Sequence, residues 1–228
     1  MRFKKDAAAI RARVFRMPLE TIIQPDAHTK ILVWHITEPL AELSAGVQLR
    51  PASQARVQGM SSELHQRGFL SVRQMMLTQG YQDTDLFYDI TGKPHLTDGK
   101  HISISHSHER AAVAISNRAV GIDLEIQREK ILRIADRFND NCNLSVHDPA
   151  LYMRELTVIW GFKEAIFKIR NEPGISFVNH IFVEPFDIES EKATAQLHFG
   201  GTVCKYAGAF KEIADYTLVY IFDDEHTL

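Results

Sequence analysis

Apolar residues alternate with polar ones in several short stretches of the chain, a period of two that predicts β-strands. The predicted strands are 30–36, 101–107, 110–116, 119–126, 175–186, 193–199, 202–210 and 216–222. Residues 87–96 are predicted to form a hairpin with Gly92 in its turn. Because short polar turns separate 101–107, 110–116 and 119–126, an antiparallel meander is the simplest arrangement for these three strands.

Helical spacing of apolar residues predicts three helices, at 61–80, 128–139 and 148–170. The third has Asp148 at its N-cap position and Pro149 in its first turn. Both halves of the chain therefore hold a helix followed by several strands. This pattern predicts an α+β protein of two lobes, which we divide into 1–118 and 119–228. The repeated order of elements is compatible with a pseudo-duplication.

Composition narrows the class of protein. Of 228 residues, 45% are hydrophobic and 24% charged, as in globular proteins, and the net charge of -3 offers no general attraction for nucleic acid or membrane. No apolar stretch approaches the ~20 residues of a membrane helix. Residues 1–18 are basic but lack the continuous apolar run of a signal peptide, so they suggest an amphipathic segment or a frayed terminus. We expect a cytoplasmic protein whose two cysteines, Cys142 and Cys204, are unpaired thiols.

Two carboxylates interrupt the strand predicted at 119–126. A period of two puts Ile122, Leu124 and Ile126 on one face and places Asp123 and Glu125 together on the other. An exposed strand face would explain the acidic pair at little energetic cost. If the face is buried, the two charges need a cation to neutralise them.

The helix predicted at 148–170 carries a third carboxylate. Trp160, Glu164 and Lys168 follow one another at intervals of four residues and so line up on one side. A solvated Glu–Lys pair is the simple explanation. However, Phe162 and Ile166 are also apolar, so the helix is expected to be buried around much of its circumference. Charged residues inside such a helix suggest a functional site.

These side chains together indicate a metal-bound pyrophosphate. Carboxylate oxygens suit a hard cation such as Mg²⁺, which completes its shell with water and phosphate oxygens. Lys163, Lys168 and His106 would balance the remaining negative charge. His106 also fits a purely structural role, because it ends the strand 101–107. The chain has no Walker or GxGxxG motif, which disfavours a P-loop or Rossmann nucleotide site.

The combination of motifs resembles the 4′-phosphopantetheinyl transferase superfamily, and within it the long, two-lobed, monomeric Sfp-like branch. The matching segments, in the family's order, are "GKP" at 92–94, "SISHS" at 103–107, "GIDLE" at 121–125 and "WGFKEAIFK" at 160–168. They cover about the central third of the chain. Gly161 departs from the Ser, Cys or Thr more often found there in the family. A slightly short interval suggests a trimmed loop around 140–148, where carrier proteins dock in relatives.

The resemblance implies a fold, a reaction and a metal. It implies two similar lobes, each a small, mostly antiparallel sheet packed with helices, and an active site in the cleft between them. Coenzyme A would give its phosphopantetheine arm to a serine of an acyl or peptidyl carrier protein and release 3′,5′-ADP. Asp123, Glu125 and Glu164 would hold Mg²⁺, or Mn²⁺ in its place. Coenzyme A and the carrier would be the partners of a monomer.

The resemblance also implies roles for individual residues. Glu164 and Lys168 would be catalytic, with Lys168 contacting a pyrophosphate oxygen. The residues implied to contact coenzyme A are Lys93, Pro94, Ser105, His106 and Lys163, with Arg67 or Arg73 at the 3′-phosphate. Two alternatives are a non-catalytic relative that only binds carrier proteins and a metal-dependent phosphohydrolase acting on nucleotides.

Overall fold

The computed structural model describes residues 19–139 and 144–223. The strands are β1 (Leu19–Asp26), β2 (Thr29–His35), β3 (Leu86–Tyr88), β4 (Pro94–Leu96), β5 (His101–Ser107), β6 (Arg110–Ser116), β7 (Val120–Ile126), β8 (Ile181–Val183), β9 (Lys192–Phe199), β10 (Thr202–Ile213) and β11 (Tyr216–Phe222). The α-helices are α1 (Leu40–Ser44), α2 (Pro51–Gln58), α3 (Glu63–Thr78), α4 (Lys130–Ile134), α5 (Pro149–Arg170) and α6 (Phe177–His180).

The predicted α+β class is confirmed. A four-stranded sheet has the order β1-β2-β6-β5, a five-stranded sheet has the order β7-β11-β10-β9-β8, and β3 and β4 form a separate hairpin. All strand pairs are antiparallel. The first sheet uses only strands that precede residue 118, and the second only strands that follow residue 119.

Each sheet packs against one long helix. Helix α3 contributes Phe69, Leu70, Val72, Met75 and Met76 to a core shared with β2, β5 and β6. Helix α5 similarly buries its apolar residues against the five-stranded sheet. It begins as predicted, because Asp148 Oδ1 accepts hydrogen bonds of 3.1 Å from the amides of Ala150 and Leu151.

A third core joins the two sheets. Ile31, Val33, Ala112 and Ala114 of the first sheet pack with apolar residues of β7 and β11. The predicted meander is therefore wrong in one respect: β6 pairs with β2 and β5, whereas β7 pairs with β11. The short link between β6 and β7 carries the chain from one sheet to the other. Local alternation cannot distinguish these pairings, because it reports only which residues share a face.

Two other elements differ from their predictions. The helix predicted at 128–139 is limited to α4 and a following 3₁₀ turn, Ala135–Arg137. Within the strand predicted at 175–186, α6 precedes β8, and the Ser176 hydroxyl accepts a hydrogen bond from the Asn179 amide at the start of that helix. A serine N-cap overrides the β-like composition of the segment here.

Of the described strands and α-helices, three lie outside the predictions: β1, α1 and α2. Helix α2 has little apolar periodicity, since only Ser53 in it is buried. The segment 1–18 and Cys142 lie outside the described residues. Cys204 is a free thiol and is partly exposed. Among the helices within 19–139 and 144–223, none is both long and apolar enough to cross a membrane.

Candidate active site

The acidic pair of β7 faces helix α5. Ile122 and Leu124 are buried in the core between the sheets. On the opposite face, Asp123 is only 6% exposed and the Glu125 side chain 25% exposed. A Cβ atom on Gly121 would lie 2.1 Å from the Ala165 carbonyl oxygen, so only glycine allows the helix this close. The explanation by an exposed strand face is therefore wrong.

Lys168 crosses from α5 to β7. Its ammonium donates 2.8 Å hydrogen bonds to Asp123 Oδ1 and to the Ile122 carbonyl oxygen, and a 3.3 Å bond to Ser105 Oγ. The simple explanation by a solvated Glu–Lys pair does not account for these contacts. The cation instead neutralises a buried carboxylate, as such carboxylates require.

Serines of β5 complete the edge of β7. The hydroxyls of Ser103, Ser105 and Ser107 accept hydrogen bonds from the amides of Ile122, Leu124 and Ile126, at 3.0, 3.1 and 3.4 Å. These donors lie on the edge of β7 that β11 does not cover, and they would otherwise be buried without acceptors. The serines that alternate with other residues along 101–107 thus join the two sheets. Ser105 additionally donates to Asp123 Oδ1 at 2.9 Å.

Burial and mutual repulsion change the acidity of the two other carboxyl groups. Burial, and then the negative charge of Asp123, raises the pKa of Glu164 to about 7, although Lys168 opposes the shift. Burial is also the main reason that the pKa of Glu125 is raised. A carboxyl group with a pKa near neutrality is suited to exchanging protons at physiological pH.

The negative charge of this site suits a hard cation, although its carboxylates are not already arranged to coordinate one. Asp123 Oδ2 is buried and has no hydrogen-bond partner within the described parts of the chain. A cation would satisfy this oxygen and would relieve the repulsion among the three carboxylates. Within 19–139 and 144–223, however, no group of three His, Cys, Asp or Glu side chains is already arranged to hold a metal.

A cavity of about 290 Å³ adjoins this site, with α3, the β3–β4 hairpin, β5 and the end of α5 in its walls. Five predicted residues line it: Arg73, Lys93, Pro94, His106 and Lys168. The aromatic rings of Phe69, Tyr88 and Phe167 also face it. Several cations beside apolar and aromatic surface are suited to a ligand that joins phosphate groups to a flat ring.

Arg56 also lines this cavity, and the sequence did not single it out. Its guanidinium carbon lies 5.1 Å from the centre of the Tyr88 ring. Arg73 lies deeper, with its Nε donating to Asp83 Oδ1 at 3.1 Å and its Nη2 without a partner among the described residues. Arg67 takes another direction and donates to the Ile36 carbonyl oxygen at 2.7 Å. Of the two arginines proposed for the 3′-phosphate, only Arg73 therefore reaches the cavity.

The hairpin places Lys93 at the cavity wall. Asp89 organises the turn, since its Oδ1 accepts hydrogen bonds from the amides of Thr91 and Lys93. The Lys93 ammonium donates to the Ile169 carbonyl oxygen, which ties the hairpin to the end of α5. Burial is the main reason that the pKa of Lys93 is lowered.

Lys163 is not brought into the cavity. Its side chain is 1% exposed and donates to the carbonyl oxygens of Phe177, at 2.7 Å, and Ile181. On a helix, residue 163 points about 100° away from Glu164, so the two cannot serve the same side of α5. The prediction that Lys163 contacts coenzyme A is therefore wrong, because its ammonium is held by these carbonyl oxygens. Lys163 instead fixes the segment that contains α6.

His106 lines both the first cavity and another one of about 310 Å³. The second cavity is lined by His65, Gly68, His108, Glu125 and Arg128, among others. A Cβ atom at Gly68 would lie 3.3 Å from His106 Cδ2, so the glycine makes room for the imidazole.

Gly161 is explained by its neighbour on β11. A Cβ atom at this position would lie 2.6 Å from Val219 Cγ2, too close for the packed state. Gly161→Ala is therefore expected to destabilise the protein by about 1–3 kcal/mol, despite the better helix propensity of alanine. Urea unfolding of Gly161→Ala, Val219→Ala and the double variant measures this. The double variant should recover part of the loss, and strictly additive losses would contradict the explanation.

The chain matches no protein-family model and no curated protein. Its functional assignment therefore depends on the site itself and on the motifs that the sequence contains.

Proposed function

We propose that this protein transfers the 4′-phosphopantetheine group of coenzyme A to a serine of an acyl or peptidyl carrier protein. The observation that carries the proposal is the buried acidic face of β7, which meets Glu164 and Lys168 of α5 beside a cavity lined by cations. Carboxylates and cations side by side suit a metal-bound pyrophosphate, the group at which this reaction occurs. The four motifs shared with the transferase superfamily support the same conclusion.

In this proposal the 3′,5′-ADP part of coenzyme A occupies the cavity of about 290 Å³. Its aromatic walls would receive the adenine ring, and Arg56, Arg73 and Lys93 would bind phosphate oxygens. His106 and Lys168 would bind the pyrophosphate. The cavity has walls from both halves of the chain, in agreement with a cleft between two related lobes. The division into lobes 1–118 and 119–228 and their pseudo-duplication form part of this proposal.

Asp123, Glu125 and Glu164 would hold the divalent cation, Mg²⁺ or Mn²⁺. When bound, the cation neutralises charge on the pyrophosphate. Asp123 Oδ2, which has no hydrogen-bond partner in the described parts of the chain, and the raised pKa of the two glutamates support this assignment. The protein supplies the oxygen ligands from two rigid elements, one strand and one helix.

The acceptor serine would enter through the second cavity. Displacement at phosphorus proceeds in line, so the attacking oxygen approaches opposite the leaving group. If 3′,5′-ADP lies in the first cavity, the acceptor can approach through the second cavity, where His65, His108 and Arg128 lie. The serine oxygen forms a bond to the β-phosphorus, the bond from phosphorus to the bridging oxygen breaks, and 3′,5′-ADP leaves.

Glu164 would accept the proton of the serine hydroxyl, directly or through a water molecule. In the metal-free protein its pKa of about 7 already leaves much of the group ionised, and therefore able to act as a base, at neutral pH. The same carboxylate would also bind the cation. The Glu164→Gln substitution separates the role of Glu164 as a base from its role as a metal ligand.

Product analysis distinguishes the proposal from its two alternatives. Incubation with coenzyme A, Mg²⁺ and a panel of apo carrier proteins, followed by intact mass measurement, should show a carrier that gains one phosphopantetheine group. Free phosphopantetheine without a carrier adduct would indicate a phosphohydrolase. A carrier that binds but is never modified would indicate a non-catalytic relative.

Removal of the divalent cation is expected to abolish the transfer. The physical reason is that three carboxylates and a pyrophosphate repel one another unless a cation neutralises them. Transfer rates are measured after dialysis against EDTA, and again after addition of Mg²⁺ or Mn²⁺. Full activity in excess EDTA would exclude the cation from the mechanism.

His106→Ala is expected mainly to raise the KM for coenzyme A, by about tenfold, because one hydrogen bond to a charged phosphate is lost. The KM for the carrier protein, measured on the same enzyme, serves as the internal control. His106 is exposed on β5, so the fold should tolerate this truncation. An unchanged KM for coenzyme A would indicate that His106 has only a structural role.

A further inference from the structure

The hydroxyl of Ser105 has one hydrogen, and within the described residues it has one acceptor, Asp123 Oδ1. Ser105 is 8% exposed and lies on β5, opposite Asp123 of β7. The Leu124 amide and the Lys168 ammonium both donate toward its oxygen. A hydroxyl carries one donor and two lone pairs. With both lone pairs facing donors, its hydrogen is directed to Asp123 Oδ1, 2.9 Å away.

This arrangement makes the two oxygens of Asp123 unequal. Oδ1 accepts from Ser105 and from Lys168, at 2.9 and 2.8 Å. Oδ2 is buried and accepts from no group in the described residues. The carboxylate is therefore held in one orientation, with a single oxygen left for another partner.

We infer that Ser105 is a positioning residue that fixes Asp123 so that only Oδ2 binds the divalent cation. This inference rests on the metal site of the proposed function and goes beyond the expected contact between Ser105 and coenzyme A. One oxygen from a carboxylate suits the compact octahedral shell of Mg²⁺ and Mn²⁺, whereas Ca²⁺ accepts both oxygens of a carboxylate readily. Ser105 thereby favours the smaller cations.

The neighbouring Ser103 provides a matched control. It is also buried, and it also accepts a hydrogen bond from a β7 amide, that of Ile122 at 3.0 Å. Among the described residues, Ser105 donates a hydrogen bond to a carboxylate and Ser103 does not. Ser103→Ala and Ser105→Ala thus each remove one hydrogen-bond acceptor of a β7 amide. Only Ser105→Ala also removes a hydrogen-bond donor to Asp123.

The experiment measures Mn²⁺ binding by electron paramagnetic resonance, with and without coenzyme A, in the full-length wild-type protein and both alanine variants. Ca²⁺ competition is measured in the same samples. Ser105→Ala is expected to weaken Mn²⁺ binding about ten- to hundredfold and to weaken Ca²⁺ binding less, since groups that orient metal ligands typically have effects of this size. Ser103→Ala should bind Mn²⁺ like the wild type, while both variants lower the urea midpoint by similar amounts.

The outcomes separate this inference from the proposed function. Wild-type Mn²⁺ affinity in Ser105→Ala, or an equal loss in Ser103→Ala, would overturn the positioning role and leave the metal site intact. A wild-type protein that binds no Mn²⁺ under either condition would overturn the metal site itself. Ser105→Thr keeps the hydroxyl, so recovery of Mn²⁺ binding in this variant supports the inference even if Ser105→Ala does not fold.

Discussion

Glu164→Gln should slow the proposed transfer reaction severely and yet make the folded protein more stable at pH 8. The amide keeps the size of the side chain and one oxygen ligand, but it cannot accept a proton from serine. Loss of a general base typically slows a reaction by about 10²–10⁴-fold. We expect kcat to fall by this factor, with coenzyme A still bound.

The gain in stability follows from the raised pKa. A carboxyl group that titrates near 4.5 when unfolded and at about 7 in the folded protein binds its proton more tightly in the folded state. Its contribution to stability is fully present below pH 4.5 and is lost as the pH rises to 7. The difference of about 2.5 pH units corresponds to about 3 kcal/mol. Above pH 7 the wild type therefore carries a destabilising buried charge that Gln lacks.

Urea unfolding of the metal-free protein between pH 4 and 8.5 measures this effect. The wild type should lose stability relative to Glu164→Gln across the range from pH 4.5 to 7. Glu42→Gln, a change at an exposed site in α1, is the control for loss of one acidic group. Parallel stability curves for the wild type and Glu164→Gln would contradict the burial of this charge. A normal kcat in Glu164→Gln would contradict its role as a base.

Lys168→Met is expected both to unfold more easily and to lose activity. Without the ammonium, the buried Asp123 keeps a charge that, among the described residues, Ser105 alone still contacts, and the Ile122 carbonyl loses a donor. Removing one partner of a buried pair is strongly destabilising, here by about 2–4 kcal/mol because Lys168 is partly exposed. The loss of a charge-assisted contact to phosphate should also lower kcat/KM by about ten- to hundredfold.

Lys163→Met separates the two effects. Lys163 is another lysine of α5, but its ammonium is fully buried and donates to backbone carbonyl oxygens on the other side of the helix. We expect it to destabilise the protein in urea unfolding by a comparable amount, while kcat/KM of the folded fraction stays close to that of the wild type. If Lys168→Met retains wild-type kcat/KM under conditions where it is folded, Lys168 has only a structural role.

Much of the secondary structure follows from local patterns. The strands β5, β9 and β11 and the helices α3 and α5 lie within a few residues of their predicted bounds, because side chains two apart in a strand and four apart in a helix share a face. The same rule places Asp123 and Glu125 together. This rule does not predict α6, where a serine N-cap determines the structure. It also does not predict α2, whose mostly polar sequence shows no helical spacing of apolar residues.

The sequence by itself determined which residues share a face, and hence that Asp123 and Glu125 stand together and that Glu164 and Lys168 lie one helical turn apart. Only the tertiary structure decided that Lys168 neutralises Asp123, that Lys163 points away from the cavity and that Arg56 lines it. Contacts of this kind join residues far apart in the chain, such as Ser105 and Lys168. They depend on which strands pair and how closely a helix approaches a sheet, and local periodicity carries no information about either.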